Sequence, residues 1–478
     1  MQPAGFVVIM SRVVLIYPQP NRITFDTAHS INLGLAYMAA CLEKRGHSVA
    51  IHDCNLEPFE LLPEKLRDAE LVGFYVITAA VKASATLAER IKNDINADCK
   101  IIFGGPHPTS RPNELLDWPC VDFVAVGEGE ELLCDLIENL NNAAVRDRLA
   151  GLAYRRDDGT IGHNGKARAP EDLDALPFPA YHLIPHKRIG PTRPTWVNAR
   201  KLVCGSMMTS RGCPYRCTFC TSAADQPFGK KFRVMSPERV VDEIEWLMRD
   251  FGVNFVEFQD DVFNLITSRA EDICKLIIRR NLKIRWSIPN GISRVENITE
   301  DFLRLCQKSG CVDAWFAAES GSERIRNDVI QKQNTIEQVR RAIEASNRLG
   351  IQTGAFFMFG SADETLEEMQ QTIDFAKSLP LDRAQFTIAT PFPGTSLWDR
   401  IDREGKWLVQ DYDQFGPYEN VVYYEIGRLK QENVLKMYKK AFRSFYLRPS
   451  YLLRKAALRR ETYTNLPMLM RQAVQFMT

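Results

Sequence analysis

Short apolar runs alternate with helical patterns twice along this chain, over residues 12–142 and again over 202–389. That alternation leaves few folds open. Strands that return through a helix pair in parallel, and a parallel sheet must be covered on both faces. The first block predicts strands at 13–17, 48–53, 71–77, 100–103 and 123–126, with helices at 33–45, 63–68, 82–96, 113–118 and 130–141. It reads as a doubly wound parallel sheet of Rossmann-like type, whose ligands sit beyond the carboxyl ends of the strands. The second block predicts strands at 202–208, 254–259, 283–288, 313–318, 352–359 and 384–388, with helices at 237–250, 268–280, 300–308, 335–349 and 365–378. Ser236 as N-cap before Pro237 starts the first of these helices. Six strands with helical crossovers predict a partial (βα)6 barrel with its reactive groups at the carboxyl strand ends. The α/β chain therefore divides into a sheet domain (1–145), a linker (146–195) with a hairpin turn at Asp158-Gly159, a barrel-like core (196–396) and a helical C-terminal region (397–478).

Composition narrows the partners. A net charge of +1 over 478 residues gives no case for nucleic acid or an anionic surface. No apolar stretch approaches the ~18 residues of a membrane span. The opening MQPAGFVVIMSRVVLIYP lacks a basic leader and a cleavage site, so it reads as the approach to the first strand, and the cytoplasm is the expected compartment. Twelve cysteines in such a chain do not suggest a disulfide framework. Nine are scattered and read as small buried hydrophobes, whereas Cys213, Cys217 and Cys220 crowd into eight residues.

Those three follow the first strand of the second block, in Ser210-Arg211-Gly212-Cys213-Pro214-Tyr215-Arg216-Cys217-Thr218-Phe219-Cys220. Thiolates at Cys-x3-Cys-x2-Cys spacing suit an iron–sulfur cluster or zinc. Three thiolates hold three corners of a cubane and leave one iron open to a ligand. Zinc needs a fourth ligand, and Cys204 or His182 is the candidate. In the first block, strands run into Pro18-Gln19-Pro20, into Thr78, into Gly104-Gly105-Pro106-His107 and into Gly127-Glu128-Gly129. Glycines there allow close approach of a ligand or merely tight connections. No GxGxxG follows the first strand, which disfavours a nicotinamide or flavin dinucleotide.

The cysteine spacing, with Phe219 before the last cysteine, resembles the signature of the radical S-adenosylmethionine (SAM) superfamily. "EFQDD" (257–261), "AESGSERI" (318–325), "GAFFMFGSADET" (354–365) and "TPFPGTSLWDRI" (390–401) look like the same family, in the expected order. The "GGPHPT" and "VGEGE" turns, and "FYLRPSYLLRKA" (445–456), are similar to the branch with an N-terminal cobalamin-binding domain. The resemblance implies a 4Fe-4S cluster on Cys213, Cys217 and Cys220, with SAM chelating the fourth iron and cleaved to a 5′-deoxyadenosyl radical. It implies SAM contacts at Phe219, Asp260, Asp261, Glu319 and Ser320, with Pro391–Thr395 bordering the site. It implies cobalamin contacts at Gln19, Thr78, Gly104, Gly105, Pro106, His107, Gly127, Glu128 and Gly129. The Asp-x-His-x-x-Gly motif whose histidine binds cobalt is absent, and neither Asp53 nor His107 reproduces it. The implied domain is either one without that histidine ligand or an empty one.

The implied activity is methylation of an unactivated carbon through methylcobalamin, with radical oxidation or cyclisation as the alternative and a non-catalytic cobalamin or cluster sensor as the rival of another class. A small-molecule substrate (lipid, pigment or natural-product intermediate) and an electron donor such as flavodoxin or ferredoxin complete the expectation. Residues 428–460 hold many Lys and Arg among Tyr438, Phe442, Phe445, Tyr446 and Tyr451. They read as a packed helix with a basic solvated face, or as a contact for a membrane surface.

Overall fold

The structure is a computed structural model that describes residues 11–21, 31–156, 158–190, 202–224, 227–292, 295–416 and 420–458. The approach to the first strand and the end of the basic C-terminal segment lie mostly outside these residues. Two compact units emerge. One gathers the chain up to Arg188 with Ala224–Arg233 and Asp411–Phe415, and the other holds the remainder.

In the first unit seven strands form one sheet in the order β2-β1-β3-β4-β5-β6-β7. The strands are β1 Arg12–Tyr17, β2 Ser48–Asp53, β3 Leu71–Tyr75, β4 Lys100–Gly104, β5 Phe123–Ala125, β6 Leu152–Arg155 and β7 Ile161–His163. The first five run parallel, because each returns through helical or turn segments. Runs such as Val13–Ile16 are 0% exposed, as strands covered on both faces require. The winding reverses between β1 and β3, so a crevice is expected beyond their carboxyl ends, where Gln19 and Thr78 follow. The hairpin assigned by sequence to a linker carries the sheet onward: β6 pairs antiparallel with β5, and β7 with β6. The turn residue Gly159 has φ 82°.

The second unit holds six parallel strands, β8 Cys204–Met207, β9 Phe255–Phe258, β10 Arg285–Ile292, β11 Cys311–Glu319, β12 Gln352–Phe359 and β13 Arg383–Ile388, each beside its sequence neighbour. Among the described residues β8 and β13 do not pair, so the barrel is open. Helix α1 (Pro237–Phe251) starts as its sequence predicts: Ser236 accepts from the Arg239 amide, Pro237 occupies the first turn, and Gly252 ends it at φ 67°. Gly354 in β12 is there for space, since a Cβ would stand 2.4 Å from the Trp315 ring.

The C-terminal region was expected to be helical throughout. It also contains a short antiparallel pair, Lys406–Trp407 with Tyr424–Glu425, a ladder too short to show periodicity in sequence. Helix α4, Gln431–Tyr446, follows α2 (Leu366–Ser378) and α3 (Ser396–Glu404). It buries Phe442 and Phe445 against Phe386 of β13, at ring separations of 5.1 and 6.1 Å. Its aromatic face thus belongs to the core. Leu447, Leu452 and Leu453 beyond it are 50, 51 and 70% exposed. Among the described residues no helix is long and apolar enough to cross a membrane.

Candidate active site

The cysteine turn begins where β8 ends, and one side chain fixes that point. Asp260, just past β9 and 0% exposed, accepts hydrogen bonds from the Thr209 amide (3.1 Å), the Thr209 hydroxyl (2.8 Å) and the Ser210 hydroxyl. Arg269 donates to the carbonyls of Thr209 and Met235 at 2.7 Å each, and its charge partly offsets the burial that pushes the Asp260 carboxyl up. Asp260 therefore anchors the start of the cysteine loop at the place where SAM contact was expected. Its neighbour Asp261 is half-buried, accepts from Ser222 at 3.0 Å, and lies within electrostatic reach of Cys213 and Cys220. It stays at the site.

Gly212 turns the chain at φ 85°, and Cys213 and Cys217 are 9 and 8% exposed. The Cys220 amide closes a turn on the Cys217 carbonyl at 3.1 Å. Between them Thr218 pins the turn. Its amide donates to Ile330 O (3.0 Å), its hydroxyl to Val329 O (2.9 Å), and its carbonyl accepts from the Leu397 amide in α3 (2.9 Å). The start of α3, just past 391–395, therefore meets the cysteine turn. Phe219 is half-buried on the same turn. Burial pushes the Cys213 and Cys220 thiols up, and Cys217 up to about 11, where Lys332 opposes the rise. Thiols so placed become ligands only with cationic compensation. Among the described residues no three His, Cys, Asp or Glu side chains already stand as a metal-ligand set, the three cysteines included.

The "ESGS" residues divide. Glu319 ends β11 at φ 59°, where the register with β12 slips, and its carboxylate accepts from Lys332 Nζ at 3.0 Å. Ser320, expected at SAM, is 0% exposed, and its hydroxyl meets Thr372 Oγ1 at 3.1 Å and accepts from the Ser322 amide at 3.1 Å. It ties the loop to α2 where the strand end turns at Glu319. Gly321 lets that happen, since a Cβ would stand 2.4 Å from the Gln371 carbonyl oxygen. Lys332 was missed by sequence reasoning. It stands in "IQKQN", without periodicity or paired residues to mark it.

In the first unit Gln19, Thr78, Gly104–His107 and Gly127–Gly129 follow β1, β3, β4 and β5, all at the carboxyl end of one parallel sheet. Gln19 is exposed there, and Pro106 opens a short helical turn. His107 is 1% exposed. Its Nδ1 meets Thr78 Oγ1 at 3.3 Å, its ring packs edge-on to Tyr412 at 4.9 Å, and its Nε2 has no hydrogen-bond partner. Burial, then Arg111, lowers its pKa to about 4. A neutral buried imidazole with an orphan nitrogen at the strand ends fits a site for a polar cofactor. Glu128 is buried in a pair with Arg233, which also donates to Pro170 O at 2.7 Å. Gly105, Gly127 and Gly129 are constrained by Val76, Lys166 and Met38, and Gly104 alone has ordinary clearance.

Comparison with known proteins agrees with this geometry. The radical SAM superfamily matches residues 207–376, and the B12-binding domain family matches 27–137. An uncharacterized methyltransferase of Pyrococcus horikoshii is 34% identical over 88% of this chain and 89% of its own length. The anaerobic magnesium-protoporphyrin IX monomethyl ester cyclase of Rubrivivax gelatinosus is 28% identical over 80% and 68%. Among solved structures, the cobalamin-dependent SAM radical enzyme OxsB with aqua-cobalamin and SAM bound shares the fold, with a TM-score of 0.73 at 19% identity over 98% of this chain and 72% of that one. The chain belongs to the radical SAM superfamily of enzymes, in the branch that carries a B12-binding domain.

Proposed function

We propose that this chain is a cobalamin-dependent radical SAM methyltransferase that methylates an unactivated carbon of a small molecule. The observation that carries the reading is the turn of Cys213, Cys217 and Cys220, locked by Asp260 at the carboxyl end of an open parallel sheet beside a buried lysine. Three thiolates hold a 4Fe-4S cluster and leave one iron for the amino and carboxylate groups of SAM. When bound, these groups supply radical chemistry, and methylcobalamin supplies the methyl.

The chain's own work is to position and to exclude water. Asp260, Thr218 and Arg269 fix the turn. Asp261, Phe219 and Glu319 are the residues we assign to SAM. Gln19, Thr78, Gly104 and His107 are the residues we assign to cobalamin. A polar ligand would give His107 Nε2 the partner it lacks, with no motif histidine for the cobalt. The P. horikoshii relative, named a methyltransferase, supports the choice of reaction, and the cyclase relative supports radical oxidation or ring closure as the second reading. In this reading the electron comes from a cytoplasmic flavodoxin or ferredoxin, and Leu447, Leu452 and Leu453 offer contact to a lipid surface.

The test is anaerobic reconstitution with iron, sulfide and cobalamin, followed by metal analysis and product mass. About four irons and one cobalt per chain, 5′-deoxyadenosine on reduction, and a product heavier by one methyl support the proposal. Products lighter by hydrogen turn it to the cyclase reading. Cofactors bound without SAM cleavage turn it to a sensor.

A further inference from the structure

Among the described residues only Asn281, Glu319, Gln331, Gln333 and Asp363 are non-glycine residues with positive φ. Three of the five converge on one ion pair. Glu319 (φ 59°) carries the carboxylate, while Gln331 (φ 61°) and Gln333 (φ 60°) flank Lys332, whose ammonium meets it at 3.0 Å. Left-handed backbone without glycine persists only where the surroundings over-determine it, and such residues gather at functional sites.

The surroundings do so here. The Lys332 amide donates to Arg326 O at 2.8 Å. Arg326, 0% exposed, donates to Asn334 and to the carbonyls of Ala318 and Ser320. Thr218 of the cysteine turn accepts no slack, bonding Val329 O and Ile330 O just before the loop. Those bonds hold the loop against the cysteine turn, and Lys332, 8% exposed, lies within electrostatic reach of Cys217 and Cys220. Glu319 accepts a hydrogen bond from one of the three ammonium N–H groups. A buried ammonium is costly unless its charge is used, and one carboxylate could be matched more cheaply on the surface.

We propose that Lys332 is the positioning cation of the cluster site, setting the reduction potential of the cluster held by Cys213, Cys217 and Cys220. The inference rests on the cluster assignment above. Three thiolates already bring negative charge into a poorly solvated place. Reduction adds one electron from a low-potential one-electron donor, with no bond made or broken. A fixed positive charge stabilises the reduced cluster more than the oxidised one, and low dielectric magnifies the difference. Glu319 orients the ammonium and tempers it.

The test uses the full chain, reconstituted anaerobically without SAM. The cluster is titrated with dithionite and followed by electron paramagnetic resonance, after iron content has been measured. Lys332→Met should lose at least tenfold in the reduction equilibrium, a shift of about 59 mV to more negative potential for one electron. Lys332→Arg should stay close to the parent chain. Glu319→Gln, which keeps the ammonium and removes a negative charge, should shift the other way. A Lys332→Met chain with full iron and an unchanged potential overturns the proposal, leaving Lys332 a structural partner of Glu319. If Lys332→Met fails to hold iron, Lys332→Gln, which keeps a polar donor for Glu319 and removes the charge, decides: a shift to more negative potential supports the cation's role, and no shift overturns it. A parent chain that binds no iron removes the cluster assignment itself, a different failure.

Discussion

Replacing Asp260 with alanine separates an anchor from a cofactor ligand. The carboxylate accepts from the Thr209 amide and from the hydroxyls of Thr209 and Ser210, all buried. Its loss leaves those donors unpaired, at ~1–3 kcal/mol for a group that finds no substitute. It also removes the nearby counter-charge from Arg269, itself 7% exposed. The three donors share one carboxylate, so their terms overlap, and we take ~1–3 kcal/mol as the size of the total effect. The assay is anaerobic denaturant unfolding of the metal-free chain, followed by iron per chain after reconstitution. The midpoint should fall by that free energy, and iron should drop although no thiol has changed. In the fraction that retains a cluster, SAM affinity should be within about twofold of the parent. Parent-like stability and iron with a large loss of SAM affinity would refute the anchoring argument and return Asp260 to the cofactor.

Other substitutions test other parts of the same frame. Gly321→Ala puts a Cβ against the backbone of Gln371, so α2 and the "ESGS" loop must part, losing the Gly321 amide bond to Thr372 Oγ1 (2.9 Å). Overpacking of this kind should lower stability by ~1–3 kcal/mol, read by the same unfolding curve. Glu364, 1% exposed and bonded to the Gly360 and Ser361 amides, is pushed by burial from 4.5 up to about 8. Its folded pKa lies above the unfolded one, so its contribution is complete below about pH 4.5 and is lost as pH climbs toward 8. Glu364→Gln should flatten the fall of melting temperature over that window, and an unchanged slope would contradict the assignment. His107→Phe keeps the ring against Tyr412 but removes Nδ1 and Nε2. Reconstituted chains should lose cobalt while keeping iron, measured by metal analysis.

The strands were legible because their signal is local. Val13–Ile16 and the strand 352–359 announce themselves through apolar residues buried on both faces, and the structure moves most strand ends by only a few residues. The cysteine turn was legible because ligand spacing is written along the chain. Roles that depend on tertiary partners were not. Asp260 reads as a free carboxylate at a strand end, yet its partners lie 50 and 51 positions earlier. Lys332 sits between two left-handed residues, Gln331 and Gln333, a conformation with no sequence signature when glycine is absent. The segment Asp411–Phe415 belongs to the first unit, with Lys82–Asp411 at 2.6 Å and Tyr412 on His107, and no periodicity spans about three hundred residues.

The glycine-rich turns carry a further lesson about what a motif discriminates. Gly105, at φ 111°, would bring a Cβ to 3.1 Å from the Val76 backbone, and Gly129 would bring one to 2.9 Å from Met38 Sδ. Gly127 has φ 101° and meets Lys166 at 2.9 Å. Positive φ makes Gly105 and Gly127 necessary whatever the strand ends bind, whereas Gly129 meets only the flexible Met38 side chain. A domain that had lost cobalamin would still need Gly105 and Gly127, so that part of the pattern marks the fold more than the cofactor. Two residues do discriminate. Gly104 has only ordinary van der Waals neighbours, at 3.5 Å or beyond, so nothing in the protein demands a glycine there. His107 keeps a buried nitrogen without a partner, at a cost of ~1–3 kcal/mol that an apolar residue would avoid. An empty domain has reason to shed both, whereas a loaded one gives both a use. Gly104→Ala should accordingly leave the fold intact and weaken cobalamin binding, whereas Gly105→Ala should damage the fold first.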